Sequence, residues 1–225
     1  MNINIFDAYN IRARLSVYII IISPLLLTVY TLYSPVRSFS FSAIFIAIMV
    51  AFSNYLFALQ RYIQKGKLNH SYIAAQFLHL DDTHIDSCTK KRYYQKLVQL
   101  DNSFYIFSNP SNSNEFESAC SSAIRWLRNN TRSNKLVQEE NMLYGFYKNL
   151  LSLKFIGIIF TIISILILLL TSRPIENFFQ SSINIGLAFV DIFFILFWLF
   201  GVTDKICIIL SEKYAYALLG ALDSL

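Results

Sequence analysis

The sequence predicts an all-α membrane protein in which two transmembrane helical hairpins flank a mainly helical cytoplasmic domain. Four apolar runs with no Lys or Arg in their interiors predict the spans, and apolar residues recurring every three or four positions predict the helices between them. Charged residues make up only 15% of the chain, against about 25% in soluble domains. The composition therefore favours an integral membrane protein.

Each apolar run has the length of a membrane span. The runs cover residues 15–33, 41–59, 153–171 and 183–202, and a helix needs about 20 residues to cross a hydrocarbon core. The first two form hairpin 1, residues 15–59, and the last two form hairpin 2, residues 153–202. Although Arg12 and Arg14 precede the first run, this run is too long for a secretory signal and has no small-residue cleavage pattern, so we expect it to remain.

The distribution of Lys and Arg predicts the orientation, because these residues are retained on the cytoplasmic side. Two precede the first run, thirteen lie from Arg61 to Lys154, and two follow the fourth run, which makes seventeen against Arg37 and Arg173 in the two connections. Residues 1–14, 60–152 and 203–225 should therefore be cytoplasmic. The sequence predicts a multi-pass protein of the cell inner membrane with both termini inside.

The middle segment, residues 60–152, is predicted to be a helical domain. We expect helices from the second span to about residue 78, over 86–100, over 114–130, and from 133 into the third span. Between the second and third of these lies an exposed loop, whose apolar patch at residues 104–107 is either a short strand or a buried anchor. Residues 203–225 form an amphipathic tail, placed on the inner membrane surface or against the domain.

Two clusters of basic residues in the middle domain are candidates for binding anions. Three arginines are spaced by three and four residues and share a helix face, and a second cluster adjoins two tyrosine rings that can stack a base. The candidates are Arg125, Arg128, Arg132, Lys90, Lys91 and Arg92. Two interpretations remain open: attraction to anionic lipid head groups, and binding of a nucleotide second messenger. Direct binding of a nucleic-acid duplex is not expected.

Asp191 is the candidate site within the membrane, because it lies near the middle of the fourth run and an ionisable group at that depth is costly. Copies from several subunits can ring a cation path, or Asp191 can be a neutral acid hydrogen-bonded within its own bundle. Pro24 in the first run can kink that helix. The uncharged partners available at similar depth are Ser23, Thr28, Tyr30, Ser53, Asn54, Thr161 and Ser164.

Catalysis, cofactors and bound metals are not predicted. The sequence contains no Gly-x-Ser-x-Gly, His-Glu-x-x-His or Walker motif, and its three cysteines have no zinc spacing. The cluster from His79 to His84, with Asp81 and Asp82, offers oxygen and nitrogen ligands. The preferred interpretation is a polar turn that caps the next helix, and a membrane-bound hydrolase or transferase using Asp82 or His84 ranks last.

The layout of two hairpins around a basic cytoplasmic domain resembles the four-transmembrane effectors of bacterial anti-phage systems that use cyclic oligonucleotides or abortive infection. The resemblance rests on the four runs and no short motif, so no site residue follows from it. It implies an oligomeric effector that permeabilises the inner membrane when its basic domain senses a trigger. The alternative is a non-catalytic membrane anchor or sensor that docks a cytoplasmic partner protein.

Overall fold

The computed structural model describes residues 9, 11–37, 73–172 and 175–225, and all regular structure in these residues is helical. This confirms the predicted all-α class. The chain divides into two compact units. The first, the membrane unit, contains residues 1–67 and 145–206, and the second, the helical unit, contains residues 68–144 and 207–225. The α-helices are α1 Ser16–Leu32, α2 Ile73–Gln76, α3 Ser87–Leu100, α4 Asn114–Asn130, α5 Lys135–Ser152, α6 Lys154–Thr171, α7 Ile175–Gln180, α8 Ser182–Leu196 and α9 Asp204–Gly220.

Three helical segments are long and apolar enough to cross a membrane: Arg12–Leu32, Lys154–Thr171 and Ser182–Gly201. They coincide with the predicted first, third and fourth spans. The predicted second span, residues 41–59, lies outside the described residues, as does most of the helix predicted to follow it. Of that helix the structure describes α2, after which Phe77 and Leu78 form a turn. The three segments indicate a membrane protein.

The membrane unit is built from α1, α6 and α8, with α1 packed against both of the others. Its apolar core includes Val17, Ile21, Leu150, Leu153 and Trp198. Large apolar side chains also point outward from these helices, and the outward set includes Phe155, Ile162, Leu166, Phe189, Phe193 and Phe200. A soluble protein rarely exposes so many large apolar groups, whereas a lipid environment accommodates them.

The helical unit contains α3 and α4, whose observed bounds match the predicted ranges. Each begins with a side-chain cap, because Asp86 accepts a hydrogen bond from the Thr89 N–H at 2.9 Å and Ser113 accepts one from the Phe116 N–H at 3.2 Å. Such caps satisfy N–H groups that the first helical turn leaves without partners. Both observed helix starts lie within one residue of the predicted positions.

The apolar patch at residues 104–107 is a buried anchor and not a strand. It lies in the 3₁₀ helix Asn102–Ser108, where Phe104 and Phe107 are buried. Phe107 packs against Phe116, with ring centroids 5.3 Å apart, and against Tyr94 at the same distance. These aromatic contacts join α3, α4 and the 3₁₀ helix into one core.

The predicted continuous helix from residue 133 into the third span is interrupted at Leu153, where φ is −101° and ψ is 7°. The helical hydrogen bonds nevertheless continue, since the N–H of Leu153 bonds to Asn149 O and that of Gly157 to Leu153 O. The break is therefore a local distortion. Gly145 lies inside α5 and is buried, so the helix does not end there.

The tail is largely buried. Cys207, Leu210, Tyr214 and Leu218 are all buried on α9, and residues 207–225 belong to the helical unit. The Tyr216 hydroxyl donates to the His84 carbonyl at 3.1 Å. Of the two predicted placements, packing against the domain agrees with these contacts.

Candidate functional site

Asp191 lies in the interior of the membrane unit. Its side chain is only 1% exposed. On α8 the structure describes one other buried residue, Leu187. The neighbouring Phe189, Ile192 and Phe193 are exposed, because residues on successive positions of a helix point in different directions. The carboxyl group is therefore directed toward α1 and α6 and away from the surrounding lipid.

A hydroxyl network connects Asp191 to both neighbouring helices. Ser164 Oγ on α6 lies 3.2 Å from Asp191 Oδ2, within hydrogen-bond distance. The same oxygen lies 2.7 Å from Thr28 Oγ1 and 3.2 Å from the carbonyl oxygen of Pro24, both on α1. Thr28, Ser164 and Asp191 are all buried, so the three spans meet at Ser164. Thr28 and Ser164 are two of the partners proposed from the sequence.

Pro24 does not end the first span, because α1 runs through it from Ser16 to Leu32. Proline has no N–H, so the carbonyl of Ile20 loses its usual helical donor. The hydroxyl of Ser23 replaces that donor and reaches Ile20 O at 2.9 Å. Side-chain substitution of this kind allows proline in transmembrane helices.

The carboxyl group of Asp191 has no basic partner among the described residues, whose ion pairs are His84 with Asp82 and Arg92 with Asp223. Its second oxygen, Oδ1, also has no hydrogen-bond partner in that part of the chain. A buried carboxylate needs charge pairing or several donors to be stable. The environment therefore favours the neutral acid, and any change that admits water or a cation would favour the charged form.

The chain matches no family model, no curated protein and no solved structure. The candidate site is accordingly defined by its own geometry. An ionisable group that joins three apolar spans through hydroxyl groups can couple its charge state to their packing.

Trp198 packs directly against Gly157, and this contact fixes the approach of the third and fourth spans. A methyl group placed on Gly157 would lie 2.2 Å from the indole atom Cζ2, far inside normal contact distance. Trp198 is fully buried within the π-helical turn Phe197–Gly201. Small residues allow transmembrane helices to approach closely, and here one glycine accommodates a whole indole ring.

The end of the fourth span is held by side chains from α5 and α6. The Tyr147 hydroxyl donates to Gly201 O at 2.8 Å, and Lys154 Nζ donates to Val202 O at 2.9 Å. At the beginning of the first span, Asn149 Nδ2 donates to Ala13 O at 2.5 Å, beside the π-helical turn Ile11–Leu15. Carbonyls at these irregular ends therefore find donors on one short segment, residues 147–154.

The three predicted arginines do not share one helix face, because α4 ends at Asn130 and Arg132 lies in the turn that follows it. Arg125 is exposed, and Arg132 is exposed with a hydrogen bond to Asn129 Oδ1 at 3.1 Å. Arg128 is half-buried, and its guanidinium lies over the Tyr214 ring at 5.8 Å. The predicted shared face of three arginines is therefore wrong: Arg128 contributes to packing, Arg125 is exposed on the helix, and Arg132 is exposed in the turn.

The second basic cluster is also divided among different environments. Lys90 is buried and donates to the carbonyls of His79 and Asp82 at 2.6 and 2.7 Å. Burial lowers the pKa of Lys90, and its ammonium group stabilises the preceding turn. Arg92 pairs with Asp223 at 3.0 Å on the surface. Lys91 is exposed and lines a cavity of about 400 Å³, together with Leu80, Ile85, Tyr94 and Pro110.

The cluster from His79 to His84 forms a turn that precedes α3. Asp82 accepts hydrogen bonds from the N–H of His84 and contacts its Nδ1, each at 2.9 Å. The His84 ring stacks on Phe77 with centroids 4.6 Å apart. Asp86 then caps the helix, and its hydrogen bonds with Thr89 lower its pKa. Together these contacts form a polar turn that ends in the cap of α3.

The sequence did not reveal the Trp198–Gly157 contact, the burial of Lys90 or the carbonyl contacts of Tyr147 and Lys154. The sequence does contain a partial signal for the Trp198–Gly157 contact. The buried residues of α6 are Gly157, Thr161, Ser164 and Leu168, a mostly small and polar series at intervals of four, three and four. Such a stripe indicates a helix–helix contact in a membrane, but it does not identify the residue on the other helix.

Proposed function

We propose that the protein is an oligomeric membrane effector, acting in anti-phage defence, that permeabilises the inner membrane when its basic cytoplasmic domain senses a trigger. The observation that carries the proposal is the buried carboxyl group of Asp191, which joins three spans through Ser164 and Thr28. An acidic residue at the centre of a span costs about 2.5–3.5 kcal/mol on insertion scales. A bundle that only anchors a domain gains nothing from that cost.

The trigger side of the proposal rests on the basic residues that remain accessible. Arg125, Arg132 and Lys91 are exposed, and Lys91 borders a cavity of about 400 Å³ that Asp82 and Asp86 also line. An anionic ligand such as a nucleotide second messenger suits the three exposed basic side chains, whereas the carboxylates of the cavity do not add to that attraction. Lys90, Arg92 and Arg128 have structural contacts, so we assign them a supporting role.

The proposal is tested by membrane potential and dye entry in bacteria expressing the wild-type chain, Asp191→Asn or Asp204→Asn, with and without phage challenge. Asp204 is an exposed carboxylate at the start of α9, so its variant controls for loss of negative charge. We expect depolarisation with wild type and Asp204→Asn and its loss with Asp191→Asn. Depolarisation by all three would reduce Asp191 to a packing residue.

A non-catalytic anchor or sensor is the second candidate. Leu136 and Leu143 on α5 are 58% and 48% exposed, and residues seven apart lie on one helix face. Such an apolar pair suits a partner protein. Membranes that stay sealed under every condition, together with a stoichiometric soluble protein that co-purifies with wild type and is lost with Leu136→Gln/Leu143→Gln, would replace the effector proposal by this one.

A further inference from the structure

The hydroxyl group of Ser164 has three oxygen neighbours and only one proton. These neighbours are Thr28 Oγ1 at 2.7 Å, Pro24 O at 3.2 Å and Asp191 Oδ2 at 3.2 Å. A serine hydroxyl can donate once and accept twice. The charge state of Asp191 therefore determines which of the three contacts are hydrogen bonds.

If Asp191 is ionised, its carboxylate can only accept. Ser164 must then donate to Asp191, Thr28 donates to Ser164, and Pro24 O and Ser164 Oγ face each other without a proton between them. The carboxylate receives one donor among the described residues, and Oδ1 receives none there. A buried charge with a single neutral donor is strongly disfavoured.

If Asp191 is a neutral acid, its own proton completes the network. Asp191 donates to Ser164, Thr28 donates to Ser164, and Ser164 donates to Pro24 O. Every one of the three contacts is then a hydrogen bond, and Ser164 uses its full capacity of one donor and two acceptors. We propose that Asp191, Ser164 and Thr28 form a proton-binding site whose occupancy decides whether Ser164 bonds to Pro24 of α1 or to Asp191 of α8.

Among the described residues, the helices around the site supply no nearby basic group that would replace the proton. On α1 the titratable groups are Tyr18 and Tyr30, ten residues before and two after Thr28, and Tyr30 is exposed. The ammonium of Lys154 on α6 bonds to Val202 O, and ten residues of helix, about 15 Å, separate it from Ser164. The sequence of α7 contains Glu176, another acid.

Loss of the proton has a defined structural consequence. The proton leaves Asp191 for water, and Ser164 turns its own proton from Pro24 O to the carboxylate. The third span then loses its hydroxyl contact with the backbone of the first span. The link between this change and permeability rests on the proposed function, whereas the proton site does not.

The test is infrared difference spectroscopy of the 225-residue chain in lipid vesicles at neutral pH. Wild type minus Asp191→Asn should show the C=O stretching band of a protonated carboxylic acid. Ser164→Ala should displace that band, because it removes the acceptor of the Asp191 proton, while Ser23→Ala should leave it in place. In the part of the chain that the structure describes, Ser23 bonds within α1, to Ile20 O, so it controls for removal of a hydroxyl group from the same bundle.

A carboxylate band in place of the acid band, or equal spectra for the two serine variants, would overturn the proposal. Should Asp191→Asn fail to fold, the serine variants still decide the question, since both retain the carboxyl group. Dye leakage from the same vesicles is recorded separately. A protonated Asp191 in permanently sealed vesicles would retain the proton site and remove the effector function, and leakage with an ionised Asp191 would do the reverse.

Discussion

Replacement of Gly157 by alanine provides a stringent test of the packing in the membrane unit. The added methyl carbon would lie 2.2 Å from Trp198 Cζ2, whereas carbon atoms in contact are about 3.5–4.0 Å apart. At least about 1.3 Å of movement is therefore required of an indole that is fully buried. Forcing extra methyl groups into a packed core costs about 1–3 kcal/mol.

The helix propensity of alanine acts in the opposite direction and is worth about 1 kcal/mol relative to glycine. Gly186→Ala measures the effect of helix propensity alone, because nothing lies within 4 Å of a methyl group added there. We expect Gly186→Ala to keep or raise the melting temperature. We expect Gly157→Ala to lower it by up to about 8 °C, because the packing cost less the propensity gain leaves a net loss of up to about 2 kcal/mol in a chain of this size.

The assay is thermal unfolding in detergent micelles followed by circular dichroism, with Trp198 emission recorded in a Trp126→Phe background. The chain has two tryptophans, so this background leaves Trp198 as the only indole. Gly157→Ala should shift its emission to the red, because the ring is forced out of its buried position. Partial recovery of stability in Gly157→Ala/Trp198→Phe would identify the clash, since phenylalanine is smaller. A Gly157→Ala variant as stable as Gly186→Ala would refute the contact.

Three further predictions concern polar contacts. Lys90→Met should destabilise the chain by about 2–4 kcal/mol in denaturant unfolding, because it removes two charge-assisted bonds to His79 O and Asp82 O; equal midpoints for the variant and wild type would contradict this. The pKa of Asp86 is lowered by its hydrogen bonds with Thr89, so its contribution to stability is present above its unfolded pKa and is lost as the pH falls through the folded one. Asp86→Asn should reduce that acid-side slope in melting temperatures measured against pH, and an unchanged slope would exclude Asp86 as its source. Asn149→Ala should accelerate amide hydrogen exchange around Ala13, whose carbonyl it frees, while Asn129→Ala, altered at the surface, should not.

Several helix boundaries could be predicted because their determinants are local. Asp86 and Ser113 each occupy the position before a helix and bond to an N–H three residues later, an interaction fixed by short-range geometry. The three described spans likewise follow from length and hydropathy alone. The partners of Asp191 could be reduced to a short set, because few polar residues occur at that depth.

The different environments of the basic residues could not be predicted. Spacing along a helix shows which side chains point the same way, but it does not show what they contact. Arg125 and Arg128 are three residues apart, yet one faces solvent and the other lies over Tyr214, which is 86 residues further along the chain. Lys90 carries the same charge as Lys91, but the carbonyls of a preceding turn surround its ammonium group.

The sequence by itself determined that this is a helical membrane protein with an acid within its fourth apolar run, since hydropathy and periodicity are properties of each segment alone. Only the tertiary structure decided that Asp191 meets Ser164 and that Ser164 meets Thr28, and that Gly157 accommodates Trp198. The reason is that these contacts join residues 27 to 136 positions apart. Which of many possible pairs forms is set by how the helices pack, and no local pattern encodes that choice.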